Sequence, residues 1–156
     1  MQKITPFLWF DGNAEEAVNF YASVFPQGKV GKISRFSDAG PFPKGTVMTA
    51  ELELFGQHFV ALNGGPQYRF TPAISLFIDC ETQAEVDHYW SKLTDGGKEQ
   101  PCGWLVDKFG VSWQVVPRVL VRLLTDPDAK KAGRVAQAMF TMTKIDIATL
   151  EKAAAA

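Results

Sequence analysis

The spacing of apolar residues changes several times along this chain, and each change marks an element. Ile4–Asp11 alternates and is rich in aromatics, the pattern of a half-buried strand. Asp11-Gly12-Asn13 is turn and cap chemistry. Ala14–Phe25 then sets Ala17, Val18, Phe20, Tyr21, Val24 and Phe25 on one helical stripe, which Pro26-Gln27-Gly28 ends. Lys29–Ser37 alternates again and predicts a second strand. Asp38–Gly45 holds two prolines and two glycines, so it predicts a loop, placed to cover a cavity mouth. Thr46–Leu54 and Gln57–Leu62 predict a hairpin turning at Phe55-Gly56, and Asn63-Gly64-Gly65-Pro66 closes this stretch.

The same order then recurs. Ile74–Leu93 repeats a strand, an Asp, a cap and an amphipathic helix at an offset of 68: Asp11 matches Asp79, Val18 matches Val86, Tyr21 matches Tyr89 and Phe25 matches Leu93. Asp95-Gly96-Gly97 ends the helix, Lys98–Cys102 predicts a short strand, and Gly103–Asp107 with Val111–Val116 predicts a hairpin around Phe109-Gly110. That hairpin repeats the first at an offset of 54, so the second copy is shorter between helix and hairpin. Both copies read strand–helix–strand–strand–strand. The expected fold class is α+β: a first βαβββ module over residues 1–66, a second over 67–118, and a helical extension over 119–156.

The extension belongs to neither copy. Val119–Leu124 starts it. Thr125-Asp126-Pro127 predicts a cap, and Asp128–Met142 is amphipathic through Val135, Ala138, Met139 and Met142. Thr143 to Asp146 has capping-box spacing before Ile147–Ala156. Such a tail packs on the outside of a sheet or bridges to a second subunit.

Composition narrows the partners. A net charge of −1 supplies no basic field for phosphates, and basic residues do not cluster with aromatics on one strand face, so nucleic acid is disfavoured. No apolar run approaches the roughly 20 residues of a membrane span, and the start MQKITPF lacks a signal-peptide pattern. Two cysteines, Cys80 and Cys102, make no disulfide framework, and a cytoplasmic location is expected. Cys102 reads as an inert thiol, Asp107-Lys108 as turn chemistry, and Tyr68 and Arg69 as surface. Trp104 and Trp113 read as core or dimer packing. Asp11 and Asp79 are expected to end their strands and cap the helices that follow.

The stretches Ile4–Tyr21, Phe55–Pro66, Pro72–Cys80 and Gly103–Pro117 carry a family resemblance. The duplicated βαβββ module resembles the vicinal-oxygen-chelate superfamily of glyoxalase I, bleomycin-resistance proteins and extradiol dioxygenases. Among these it is most similar to the PhnB-like branch labelled "3-demethylubiquinone-9 3-methyltransferase". The resemblance implies curled half-barrel sheets whose two modules form a site, and a homodimer. The methyltransferase label fits poorly: an S-adenosylmethionine enzyme of Rossmann type needs parallel βαβ crossovers and a Gly-rich turn opening a helix, and Gly12-Asn13 is a lone cap.

Enzymes of the superfamily usually hold a divalent ion with His and Glu. The resemblance places those positions near Ile4 or Thr5, near Ala73 or Ser75, and near Val60 and Gln114, and no His or Glu occupies any of them. Only His58 and His88 are available; His58 reads either as a plain strand residue or as a polar contact or general base, and His88 as helix surface. No metal and no cofactor are therefore expected; unorthodox ligands such as Gln114 and Asn63 are the remaining route to a metal. If the metal-equivalent positions point inward, Phe7, Trp9, His58, Val60, Ser75, Phe77 and Gln114 are the cavity candidates, with Ser112 matching His58. That wall is apolar and aromatic, carries no Arg or Lys, and suits a small hydrophobic or aromatic molecule. Two functions follow: a binding protein for such a molecule, or a metal-independent or non-standard enzyme acting on a small metabolite.

Overall fold

The computed structural model describes residues 2–156. Contacts divide them into a first unit ending at Phe70 and a second, Thr71–Ala156.

The first unit is one four-stranded sheet with a helix on one face. Its strands are β1 (Phe7–Phe10), β2 (Lys29–Arg35), β3 (Val47–Leu54) and β4 (Gln57–Asn63), in the order β1-β4-β3-β2; the helix α1 is Ala14–Val24. β1 runs parallel to β4, and the other pairs are antiparallel. Burial alternates along β3 and β4: Ala50, Leu52, Leu54, Phe59, Ala61 and Asn63 are buried, and the residues between them are not. α1 meets this face with Ala14, Ala17, Val18, Tyr21 and Val24, and its alanines let the helix sit close to the strands. β1 is shorter than its pattern predicts. Ile4 is 85% exposed, and Pro6 has no N–H to give a ladder, although its carbonyl accepts from Val60 N–H at 3.0 Å. The β3–β4 turn holds Phe55 and Gly56, both at positive φ (49° and 77°), as a two-residue hairpin requires. Phe55 meets Phe25 edge-on at 5.9 Å.

The second unit repeats the plan with less sheet. β5 (Leu76–Cys80), β6 (Lys98–Glu99), β7 (Trp104–Val106) and β8 (Ser112–Pro117) are ordered β5-β8-β7-β6, with α2 (Gln83–Thr94) against β7 and β8. The expected strand after Glu99 is instead a 3-10 turn, Pro101–Gly103, because Cys102 lies at φ 61°. The hairpin is also longer than Phe109-Gly110 predicts, five residues from Asp107 to Val111. Buried Asp107 staples it: one carboxylate oxygen accepts from Phe109 and Val111 N–H, and the other from Trp113 Nε1–H at 2.8 Å.

Three tail helices complete this unit: α3 (Arg118–Leu124), α4 (Ala129–Phe140) and α5 (Ile147–Ala155). α4 and α5 are capped by Asp128 and Asp146, whose carboxylates accept from first-turn N–H groups, downstream of Thr125-Asp126-Pro127 in the first case and at the end of the Thr143–Asp146 box in the second. Leu120, Leu123, Val135, Met142, Ile145 and Leu150 form a core that also takes in Val116. Met142 and Thr143 carbonyls accept from Cys102 and Gly103 N–H at 2.9 and 2.8 Å. Gln83 exchanges hydrogen bonds with Ile145 O and Ile147 N–H, and Lys144 pairs with Asp87 at 2.8 Å. The tail is thus docked on its own module.

The ladders correct the repeat. Val60 and Gln114 keep the offset of 54, but Val60 faces Phe7 and Gln114 faces Phe77. The first strands therefore correspond at 70 (77 − 7), whereas the helix residues Val18 and Val86 correspond at 68. Two residues drop out of the second strand–helix junction: Val18 follows Phe10 by eight, Val86 follows Cys80 by six. An even slip keeps every side chain on its predicted face.

Candidate functional site

Four of the seven predicted residues share one sheet face in the first unit. Phe7 lies beside Val60 and Trp9 beside Leu62, and alternation puts His58 on the same side. This is the face away from α1. Phe7 is 61% exposed on it. Trp9 is fixed from three directions: its Nε1–H donates to Gly65 O at 2.9 Å, Tyr68 meets it edge-on at 4.9 Å, and Gly64 lies so close under the indole that any Cβ would collide with the ring. Tyr68, expected only as surface, thus supports Trp9. His58 is exposed and stands 3.7 Å from Glu53 across the β3–β4 ladder; its backbone N–H and carbonyl are both bonded by the Gln2 side chain.

The remaining three meet in the second unit. Phe77 pairs with Gln114, and Gln114 Nε2 donates to Ser75 Oγ at 2.9 Å. Phe77 is 51% exposed. Trp104 follows on the other side of Gln114. Val116, two residues after Gln114 on the same strand, belongs to the tail core. Ser112, which opens β8, is buried, and its Oγ has no hydrogen-bond partner among the described residues.

Two expected roles change. Neither Asp11 nor Asp79 caps a helix. Thr82 caps α2 by accepting from Glu85 N–H, and Asp79 joins Glu81 in gripping Arg118. The start of α1 is held from β4: Asn63 Oδ1 accepts from Ala14 N–H and Asn63 Nδ2 donates to Val47 O, both at 3.0 Å. With both amide atoms bonded to backbone, Asn63 offers nothing to a metal. Alternation carries the missed signal, since Asn63 continues the buried series Phe59, Ala61.

Sequence reasoning also missed a cleft of about 450 Å³ in the first unit. Asp11, Glu15, Arg35 and Thr46 give it polar walls, and Phe36 and Phe42 give it aromatic ones. The Pro-rich loop walls it through Phe42 and Pro43, but none of the seven predicted residues does. Arg35 is steadied by donating to Gly45 O at 3.0 Å.

The Cys80 thiol is chemically quiet. Burial, reinforced by Glu85 and Asp79, pushes Cys80 up to about 12, so it stays protonated at neutral pH. Cys102 Sγ–H points to Met139 O at 3.7 Å, and both cysteines are free. Among the described residues no group of three His, Cys, Asp or Glu side chains converges as a metal site requires. Ser75 and Gln114 carry neutral donors that are bonded to each other.

Each unit repeats one βαβββ plan around its own four-stranded sheet. Comparison with known proteins assigns the family. The family model described as 3-demethylubiquinone-9 3-methyltransferase matches residues 2–116. The PhnB protein of Bacillus cereus is 43% identical, with a TM-score of 0.69 over 74% of this chain and 99% of that one. Protein PA1353 from Pseudomonas aeruginosa is 25% identical, with a TM-score of 0.63 over 75% and 98%. No curated protein matches the chain. The chain belongs to the 3-demethylubiquinone-9 3-methyltransferase family, which includes PhnB.

Proposed function

We propose that this protein holds a small hydrophobic or aromatic molecule against the open faces of its sheets, without a metal. The observation that carries this reading is the row Phe7, Trp9, Val60 and Leu62, uncovered by any helix of its unit and ending in the polar pair His58–Glu53. An apolar, aromatic wall with one or two polar contacts orients such a ligand. Phe77, with Ser75 and Gln114 beside it, repeats the combination in the second unit.

Methyl transfer from S-adenosylmethionine is not part of the proposal. Each sheet has a single parallel pair at its edge, and the turn from β1 into α1 lacks a Gly-rich phosphate cradle. A metal-independent enzyme is the second reading, favoured by the His58–Glu53 pair, a base-and-carboxylate arrangement on the same face as Trp9. The exposed Phe7 and Phe77 also favour a homodimer. Among the described residues no helix is long and apolar enough to cross a membrane, and the two free thiols support a cytoplasmic location.

Elemental analysis after dialysis against a chelator, followed by thermal-shift measurements with lipophilic aromatics, tests the reading. It expects a metal-free protein whose melting temperature rises with the aromatics. Stoichiometric zinc, iron, manganese or nickel retained with no ligand shift overturns it. Turnover by a metal-free sample, lost in His58→Ala, selects the enzyme.

A further inference from the structure

The second unit contains a smaller cleft, about 240 Å³, between β7 and the 3-10 turn. Pro72, Gln100, Pro101, Trp104, Val106 and Ser112 line it. None of the seven predicted residues is among them. Its apolar walls come from Trp104, Leu105, Val106 and two prolines, and no charged residue takes part. Ser112 is 2% exposed, and its Oγ has no partner among the described residues, alone among their buried side-chain nitrogen and oxygen atoms. Native proteins rarely leave such an atom unpaired. A serine hydroxyl both donates and accepts, and it has three staggered χ1 positions from which to meet a partner.

We propose that this cleft is a binding site for a neutral, single-ring aromatic carrying one hydrogen-bonding substituent, of which phenol is the simplest member. Three features select that class. The volume of about 240 Å³ exceeds the roughly 150 Å³ of an apolar cavity that takes benzene, so one substituted ring fits. The indole and prolines offer flat apolar faces to a ring. With no charge on the walls, an ionised ligand would lose its hydration without compensation. Rotation about χ1 is what lets the buried Ser112 Oγ reach a ligand from this wall, and Gln100, also on the wall, is exposed. The proposal rests on the reading that the protein holds a small aromatic molecule, and it gives that molecule a place and a polar group.

The experiment titrates the full-length protein with phenol, with its isostere toluene and with benzoate, followed by calorimetry and by ¹H–¹⁵N spectra of the indole N–H signals. Phenol is expected to bind saturably and to exceed toluene roughly five- to tenfold, the weight of one neutral hydrogen bond. Benzoate is expected not to bind. The shifted indole signal is expected to be that of Trp104. Ser112→Ala should abolish the preference for phenol while raising the melting temperature of the free protein, because it removes an unpaired buried hydroxyl. A phenol preference that survives Ser112→Ala overturns the site, and so does a melting temperature that falls. If lipophilic aromatics stabilise the protein but phenol never saturates, or if the indole that shifts is Trp9, the open-face reading stands and this cleft fails. If no aromatic binds at all, both fall.

Discussion

The two modules build the same five elements with different fastenings. In the first, the sheet is the stable part: β3 and β4 are eight and seven residues long, and a two-residue turn joins them. In the second, β6 and β7 have two and three residues, and the hairpin loop is five residues long. A two-residue turn closes itself through backbone conformation, but a five-residue loop needs a side chain to gather its N–H groups, and Asp107 does so. The helices differ in the same way. α1 is tied to its sheet by Asn63, a residue of the strand. α2 is tied outward by Gln83 and Asp87 to the tail. A module with little sheet obtains its burial from added helices, which is why Val116 joins the tail core while Leu62, at the same step of the ladder, lies beside Trp9.

This contrast breaks first at Asp107. Asp107→Ala removes the acceptor of three hydrogen bonds in a buried turn and should destabilise the protein by on the order of 3–5 kcal/mol in chemical denaturation. A loss below about 1 kcal/mol would show that the long loop closes without its staple. Asn63→Ala should cost about 2–3 kcal/mol, since it strands Ala14 N–H and Val47 O in the interior. Its amide-exchange signature should fall on the first turn of α1 and leave α2 protected; equal exposure of both helices would contradict separate fastenings.

The smallest effect is on pH. Bonding by Lys144 and Gln83 holds Asp87 below the usual carboxylate range, and bonding by Thr149 does the same for Asp146. A folded-state pKa below the unfolded value of about 3.9 means the stabilisation is complete above that value. It is lost as pH falls through the lowered one. Both groups are solvent-facing, so the loss is modest and screened by salt. Acidification below about pH 4 should therefore raise exchange at the amides of α5 before those of α1. Simultaneous loss of both would show that the tail is not fastened by these carboxylates.

The order of elements, the stripe of each helix, the first hairpin turn and the duplication were all legible along the chain. They depend on spacings of two and of three to four residues, and neighbours in sequence determine those. The pairing of Phe7 with Val60 and of Phe77 with Gln114 agrees with the same alternation. The two-residue slip between strand and helix offsets was hidden, because an even shift leaves the polar–apolar rhythm unchanged and only the ladder reveals it.

What the tertiary structure alone decided is which polar groups meet. Asn63 lies 49 residues from the N–H it caps, and Ser75 lies 39 from Gln114. No local period encodes either distance; strand pairing creates both. The same holds for the serine left unpaired beside the small cleft, and for the tail, whose apolar stripe was plain in the sequence but whose docking partner was not. A hydrophobic stripe states that a face must be buried, whereas a hydrogen bond is directional and forms only where the assembled fold brings donor and acceptor within about 3 Å.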